Sequence, residues 1–364
     1  MVPSGIPTRS TRAEPLNVAG APEELAGGGD ESDGAPTSGR DRPGAAADGI
    51  AGPSRGDRAL TAPDAILGQA GSENFPVASR ILPARSRRHL LAVYGFARLV
   101  DDIGDEAGGD RPALLDWLEE ELLRAAAGTA THPLLQRLTP TIAELDLPLE
   151  PFRDLIEANR QDQDVRRYET FDDLVGYCML SAAPVGRLVL YVLGQWTPWR
   201  QSRSDDVCVG LQLVEHLQDV AEDLEQDRVY LPLADLDRIG CEVEDLSAPT
   251  AGPEVRRLIA LECGRAWRLL GSGNELAASL PLRARVAVAG FTAGGLASLD
   301  AIEGAGYDVL AQHCRPRSLR FGARVLDVLA RGARGAGNSS TVRDDAPAPE
   351  LASGRSGART RVST

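Results

Sequence analysis

The sequence predicts an all-α protein: one helical domain of ordinary size flanked by disordered tails. Three observations carry that expectation. Between residues 61 and 331 the apolar side chains recur at steps of three and four, the repeat of a helix face. Alternating, β-branched runs of strand length are scarce in the same region. Proline and glycine fall between the periodic stretches, where helices must end.

Taken in order, residues 1–60 are rich in Gly, Ala, Pro, Ser, Asp and Arg. They have too few large apolar side chains to offset the entropy of ordering, so disorder is expected. Helices are then expected over 84–105, 112–127, 133–145, 151–163, 171–194, 204–224, 253–279, 282–303, 305–312 and 317–330. "DLPLEP" and "GQWTPWRQS" read as connections, Pro232 and Pro281 mark boundaries, and Thr170 or Asp172 is placed to cap the helix that follows. Residues 332–364 return to the composition of the first tail.

The 364 residues are 43% hydrophobic and 4% aromatic, with a formal net charge of -14. Such a chain can bury a large core but presents no basic surface for nucleic acid. Phosphate chemistry on it would need metal ions or a local arginine cluster to overcome the acidic field. Cys178, Cys208, Cys241, Cys263 and Cys314 show no zinc or redox spacing and read as reduced thiols, which fits a cytoplasmic protein. No apolar run is read as a membrane span, and the N-terminus lacks the pattern of a signal peptide.

The chemistry concentrates in "ARLVDDIGDE" (97–106). Like charges crowded at the end of an apolar helix repel one another unless a cation compensates. Tyr94, Arg98, Asp101 and Asp105 follow one stripe of that helix. "LQLVEHLQDVAEDLEQDRVYLP" (211–232) repeats the plan with Gln212, Glu215 or His216, Asp219 and Asp223. One Asp-x-x-x-Asp is commonly a solvated face. Two copies in the C-terminal halves of apolar helices, where the helix dipole disfavours negative charge, point instead to facing stripes that chelate a hard cation such as Mg²⁺. A lone histidine such as His216 reads first as a structural hydrogen-bonding group, and the apolar stripe Val185, Leu188, Val189 and Val192 as core or cavity wall.

At these residues the chain resembles the squalene/phytoene synthase family of all-helical trans-isoprenyl enzymes. The resemblance is carried by "ENFPVASRILP" (73–83), "RHLLAVYGFARLVDDIGDE" (88–106), "YCMLSAAPVG" (177–186), the second acidic stretch and "AVAGFTAGGLASLDAI". The first of these and the closing "GGLASLDAIEGAGYDVL" are most similar to the bacterial branch that makes hydroxysqualene from presqualene diphosphate in hopanoid biosynthesis. The fold implied is an isoprenoid-synthase-type bundle with a central cavity. Asp101 and Asp105, with Asp219 and Asp223, would hold more than one Mg²⁺ against a substrate diphosphate. Arg98 and Arg228 would bind phosphate, Tyr94 and Gln212 would line the cavity, and Tyr177 would lie near the reacting carbons. Asn74 and Phe75 would touch substrate, although Phe75 equally reads as a hydrophobic staple. Glu215 departs from the family's usual asparagine; it would add a metal ligand or weaken one diphosphate site. Gly295 stands where squalene-forming relatives carry a tyrosine.

The partner implied is an isoprenoid diphosphate, with no nucleic acid and, for an alcohol product, no nicotinamide cofactor. Trp196 and Trp199 would give transient membrane contact for product release, and coupling to other squalene-pathway enzymes is implied. Outside this class stand a helical lipid- or partner-binding scaffold and, less favoured because the glycine-bearing calcium loop is missing, a calcium-binding structural protein.

Overall fold

A computed structural model describes residues 81–311, 314–316 and 318–338, all within the unit Gly49–Thr364. Asn74, Phe75 and the expected tail 1–60 lie outside the described residues, as do 339–364. The described residues form no strand, only an isolated bridge between Arg167 and Val229. The helices, numbered along the described chain, are α1 (Ala84–Asp101), α2 (Arg111–Ala126), α3 (Pro133–Leu145), α4 (Glu150–Asp164), α5 (Phe171–Ser181) and α6 (Ala183–Val192). They continue with α7 (Pro198–Gln218), α8 (Val220–Glu225), α9 (Leu233–Ile239), α10 (Pro253–Ser279), α11 (Leu282–Gly304) and α12 (Ser318–Asn338).

Two expected helices come out whole, 133–145 and 253–279, each with proline in its first turn where the missing N–H costs nothing. Others differ for local reasons. The expected 171–194 breaks at Ala182, because Pro184 cannot donate to the preceding turn and its ring crowds that turn's carbonyl. Thr170 caps α5 in a capping box with Asp173, so the cap falls to Thr170 and not Asp172. "GQWTPWRQS" is only partly a connection: Thr197 accepts from the Arg200 N–H and Pro198 opens α7 six residues earlier than expected. The expected helix 305–312 does not form over its described residues, 305–311, since Gly306 and Tyr307 both take left-handed backbone with φ of 65° and 61°. α9 and the 3₁₀ turn Val243–Ser247 are too short to leave a period in the sequence. α12 runs beyond the expected end at 330 to Asn338.

α7 and α10 pack along each other, with α11 and α12 against α10 and α6 against α7. This half buries Leu213, Leu258, Ile259, Ala266, Leu270 and Ile302. A second core joins α1 to α4 around Phe96, Leu99, Leu118 and Ile156, where Phe96 meets Phe152 edge to face at 5.1 Å. The segments Phe171–Val192 and Leu282–Gly304 are, against the reading above, long and apolar enough to span a membrane; half or more of each window is buried inside the protein.

One buried charge ties α2 to α3. Burial alone would raise the Glu121 carboxyl, but the N–H groups of His132 (2.9 Å) and Thr131 (2.8 Å), the Arg124 guanidinium and the Thr131 hydroxyl outweigh it and hold it below the usual range. Its stabilising effect is therefore present above the ordinary glutamate pKa and lost as pH falls through the lowered value. Glu121→Ala leaves the buried His132 N–H and the part-buried Thr131 N–H without their acceptor and is expected to cost about 2–4 kcal/mol by urea denaturation at neutral pH. That cost should shrink in acid; a constant cost would show that the hydrogen bonds, not the charge, carry the effect.

Candidate functional site

The acidic end of α1 is not a plain helix. After Asp101 the chain continues as a π-turn, Asp102–Glu106, closed by the Ala107 N–H on the Asp102 carbonyl at 2.9 Å. One extra residue in the turn shifts Asp105 around the axis relative to α-helical spacing. Gly104 allows this turn to press on α4: a Cβ there would stand 1.9 Å from Asn159 Oδ1. Asn159 in turn hydrogen-bonds the Asp101 carboxyl.

Asp101 opens to solvent, yet protein surrounds its carboxyl closely. Desolvation and the like charge of Asp105 push it up to about 7, against the opposing pull of Arg98 and Asn159. Arg98 is paired at 2.8 Å with the buried Asp102 and at 3.1 Å with Glu106, so its charge is already answered within the protein. Tyr94 lies a turn earlier, near enough to favour the Arg98 cation.

The second acidic stretch is also broken. Asp219 leaves helical backbone (φ -108°, ψ 14°) between α7 and α8, and its carbonyl accepts the Asp223 N–H at 2.8 Å. Gln212 and His216 face each other with 3.3 Å between Nε2 atoms, and His216 Nδ1 is 3.9 Å from Asp223. Glu215 is exposed.

Arg228 joins the two stretches. Its Nη1 donates to Asp105 Oδ1 at 2.9 Å, and its backbone N–H donates to the Asp223 carbonyl. Beneath this pair lies a group that sequence reasoning missed. Buried Asp162 accepts from Tyr177 at 2.6 Å and from Tyr230 at 3.3 Å. Burial raises its carboxyl, while the Tyr177 hydroxyl and the nearby Arg228 resist. Tyr177 and Tyr230 stack at 5.6 Å, and His216 lies flat on Tyr230 at 3.8 Å. Only the i, i+3 pair Asn159 and Asp162 hinted at this, inside a stretch ("EANRQDQD") too polar for buried and solvated positions to be told apart.

An apolar cavity of about 430 Å³ lies alongside, lined by Leu90 of α1, Val185 and Val189 of α6, Leu211 of α7, Phe291 of α11 and Val325 of α12. Leu188 and Val192, grouped with Val185 and Val189 in the sequence reading, turn away into the second core. A tyrosine at Gly295 would require the ends of Leu211 and Leu270 to move, because a Cβ there would lie 2.8 Å from Leu211 and 2.9 Å from Leu270. α7 links cavity to acid: Leu211 lines the former, and Asp219 follows eight residues on, about 12 Å along the axis.

Among the described residues no three His, Cys, Asp or Glu side chains converge into a cage that could hold a metal ion unaided. The donors that are present suit a hard divalent cation, which takes one or two carboxylates and completes its shell with water and substrate oxygens. The Asp101 and Asp105 pair, whose repulsion raises the first, is of that kind.

The squalene/phytoene synthase family profile matches residues 69–321. A hydroxysqualene synthase of Rhodopseudomonas palustris is 41% identical over 212 residues, 57% of this chain and 71% of the relative. A phytoene synthase of Thermus thermophilus is 34% identical over 245 residues, 67% of this chain and 83% of the relative. Among solved structures, a squalene synthase from Alicyclobacillus acidocaldarius is similar with a TM-score of 0.63 at 46% identity, covering 66% of this chain and 92% of that one.

Proposed function

We propose that this chain, which belongs to the squalene/phytoene synthase family, converts presqualene diphosphate to hydroxysqualene. The observation that carries this reading is an apolar cavity joined by one helix to paired aspartates. The choice of reaction is supported by the similarity to hydroxysqualene synthases. Phytoene synthases at 32% and 34% identity keep the condensing reactions as the alternative.

In this reading Asp101, Asp105, Asp219 and Asp223 hold Mg²⁺, which when bound supplies positive charge to the leaving diphosphate. Arg228 lies between the two stretches, fixed by Asp105. The C–O bond to diphosphate breaks with its electron pair, the cyclopropane opens, and water forms the new C–O bond and releases a proton. Nothing is oxidised or reduced overall, so no nicotinamide cofactor is required. The cavity wall keeps other water from the cation, and the buried rings of Tyr177, Tyr230 and His216, which cover one another's faces, stand outside that wall. Asp162 accepts the Tyr177 hydroxyl proton in a hydrogen bond and so fixes that side chain beneath the acidic face. The catalytic domain in this proposal occupies 61–331 in the cytoplasm, with peripheral membrane contact through the part-exposed Trp196 and Trp199.

The test is a product assay by mass spectrometry with Mg²⁺ and without nicotinamide. Presqualene diphosphate should give an oxygen-bearing C30 alcohol while farnesyl diphosphate stays untouched. Consumption of farnesyl diphosphate would move the chain to the condensing branch, and inertness toward both would favour phytoene-type substrates or the scaffold.

A further inference from the structure

Four arginines besides Arg228 surround the acidic face, and their partners differ. Arg98 is paired with Asp102 and Glu106, and Arg167 with Asp227 at 2.7 Å. Arg111 spends its donors on the carbonyls of Asp105 and Ala107. Arg166 is half-buried, and among the described residues its guanidinium meets only the Gln163 carbonyl, at the 3.5 Å limit of a hydrogen bond. Two contacts fix where Arg166 stands. Its carbonyl accepts the Val229 N–H at 3.0 Å, which sets it beside the segment that carries Arg228. Gln163, against which its guanidinium rests, donates to the carbonyl of Gly104, the residue before Asp105.

We infer that Arg166 is a further diphosphate-binding residue of this site. The acidic chain needs a local positive group to admit a polyanion, and Arg98, Arg167 and Arg228 already face carboxylates. A half-buried guanidinium with unspent donors, linked through Gln163 to the turn before Asp105 and through its own backbone to the segment after Arg228, is suited to bind phosphate oxygens in bidentate fashion. This rests on the diphosphate reading above.

The probe is inorganic pyrophosphate with Mg²⁺, titrated calorimetrically into the full chain. Arg166→Gln should weaken binding about tenfold or more, the loss of charge-assisted hydrogen bonds, with Tm unchanged. Arg166→Lys should recover part of the affinity, and Arg167→Gln should stay within about twofold of wild type because Asp227 already holds that charge. Wild-type affinity in Arg166→Gln, or an equal loss in Arg167→Gln, overturns the inference and leaves the diphosphate reading standing. Absence of binding by the wild type sinks both.

Discussion

Asp101→Asn is expected to lower turnover of the isoprenoid diphosphate by at least about a hundredfold, the scale seen when one preorganised charge-stabilising group is removed. The same change should leave thermal stability unaltered or raise it. The second half follows from the sign of the pKa shift. Desolvation and Asp105 push the Asp101 carboxyl up to about 7, so its ionisation opposes the fold increasingly as pH rises from the ordinary aspartate value toward 7. A neutral amide removes that opposition and keeps a hydrogen-bonding partner for Asn159. The ion pairs that order this end of α1 run from Arg98 to Asp102 and Glu106, and the substitution does not touch them. Activity and stability should therefore move apart. A scaffold that merely retains a metal-like motif predicts no functional loss. Turnover within about threefold of wild type, at neutral pH with saturating Mg²⁺, would remove Asp101 from the machinery.

The parts legible in the sequence were those with a long repeat. α3 and α10 follow from periodicity between prolines, and the two acidic stretches follow from like charges at the ends of apolar helices. The way the stretches meet was not legible. It depends on a π-turn after Asp101, on a break at Asp219, and on Arg228 reaching across to Asp105. None of these leaves a period. Spacing arguments assume unbroken helices, and both carboxylate helices are broken at the residues that matter. Asp162 escaped notice because a buried aspartate with two tyrosine partners reads, in sequence, like any solvated one. Arg166 escaped because its significance lies in what its neighbours are paired with. Leu188 and Val192 share an apolar stripe with Val185 and Val189, and only packing divides that stripe between core and cavity.

Gly104 should be the least replaceable glycine of the site. It lies in the π-turn between the two aspartates, and an added Cβ would stand 1.9 Å from Asn159 Oδ1 and 2.8 Å from its Cγ. Asn159 cannot simply swing aside, because it is buried, donates to the Leu155 carbonyl at 3.2 Å and bonds the Asp101 carboxyl. Gly104→Ala must either turn Asn159 off Asp101 or push the π-turn away from α4. The expected cost is about 1–3 kcal/mol of stability, as for other overpacked sites, and about tenfold or more in turnover, since misplacement by an ångström is enough. A double-mutant cycle identifies the cause. In an Asn159→Ala background the oxygen and Cγ are gone and the remaining Cβ lies 3.3 Å away, a tight but tolerable contact. There Gly104→Ala should cost little further stability, giving a coupling of about 1 kcal/mol or more. Turnover should equal that of Asn159→Ala alone, because both variants have already lost the bond to Asp101. An equal penalty in the two backgrounds would mean that glycine is required by the π-turn's own backbone and not by the close approach of α4.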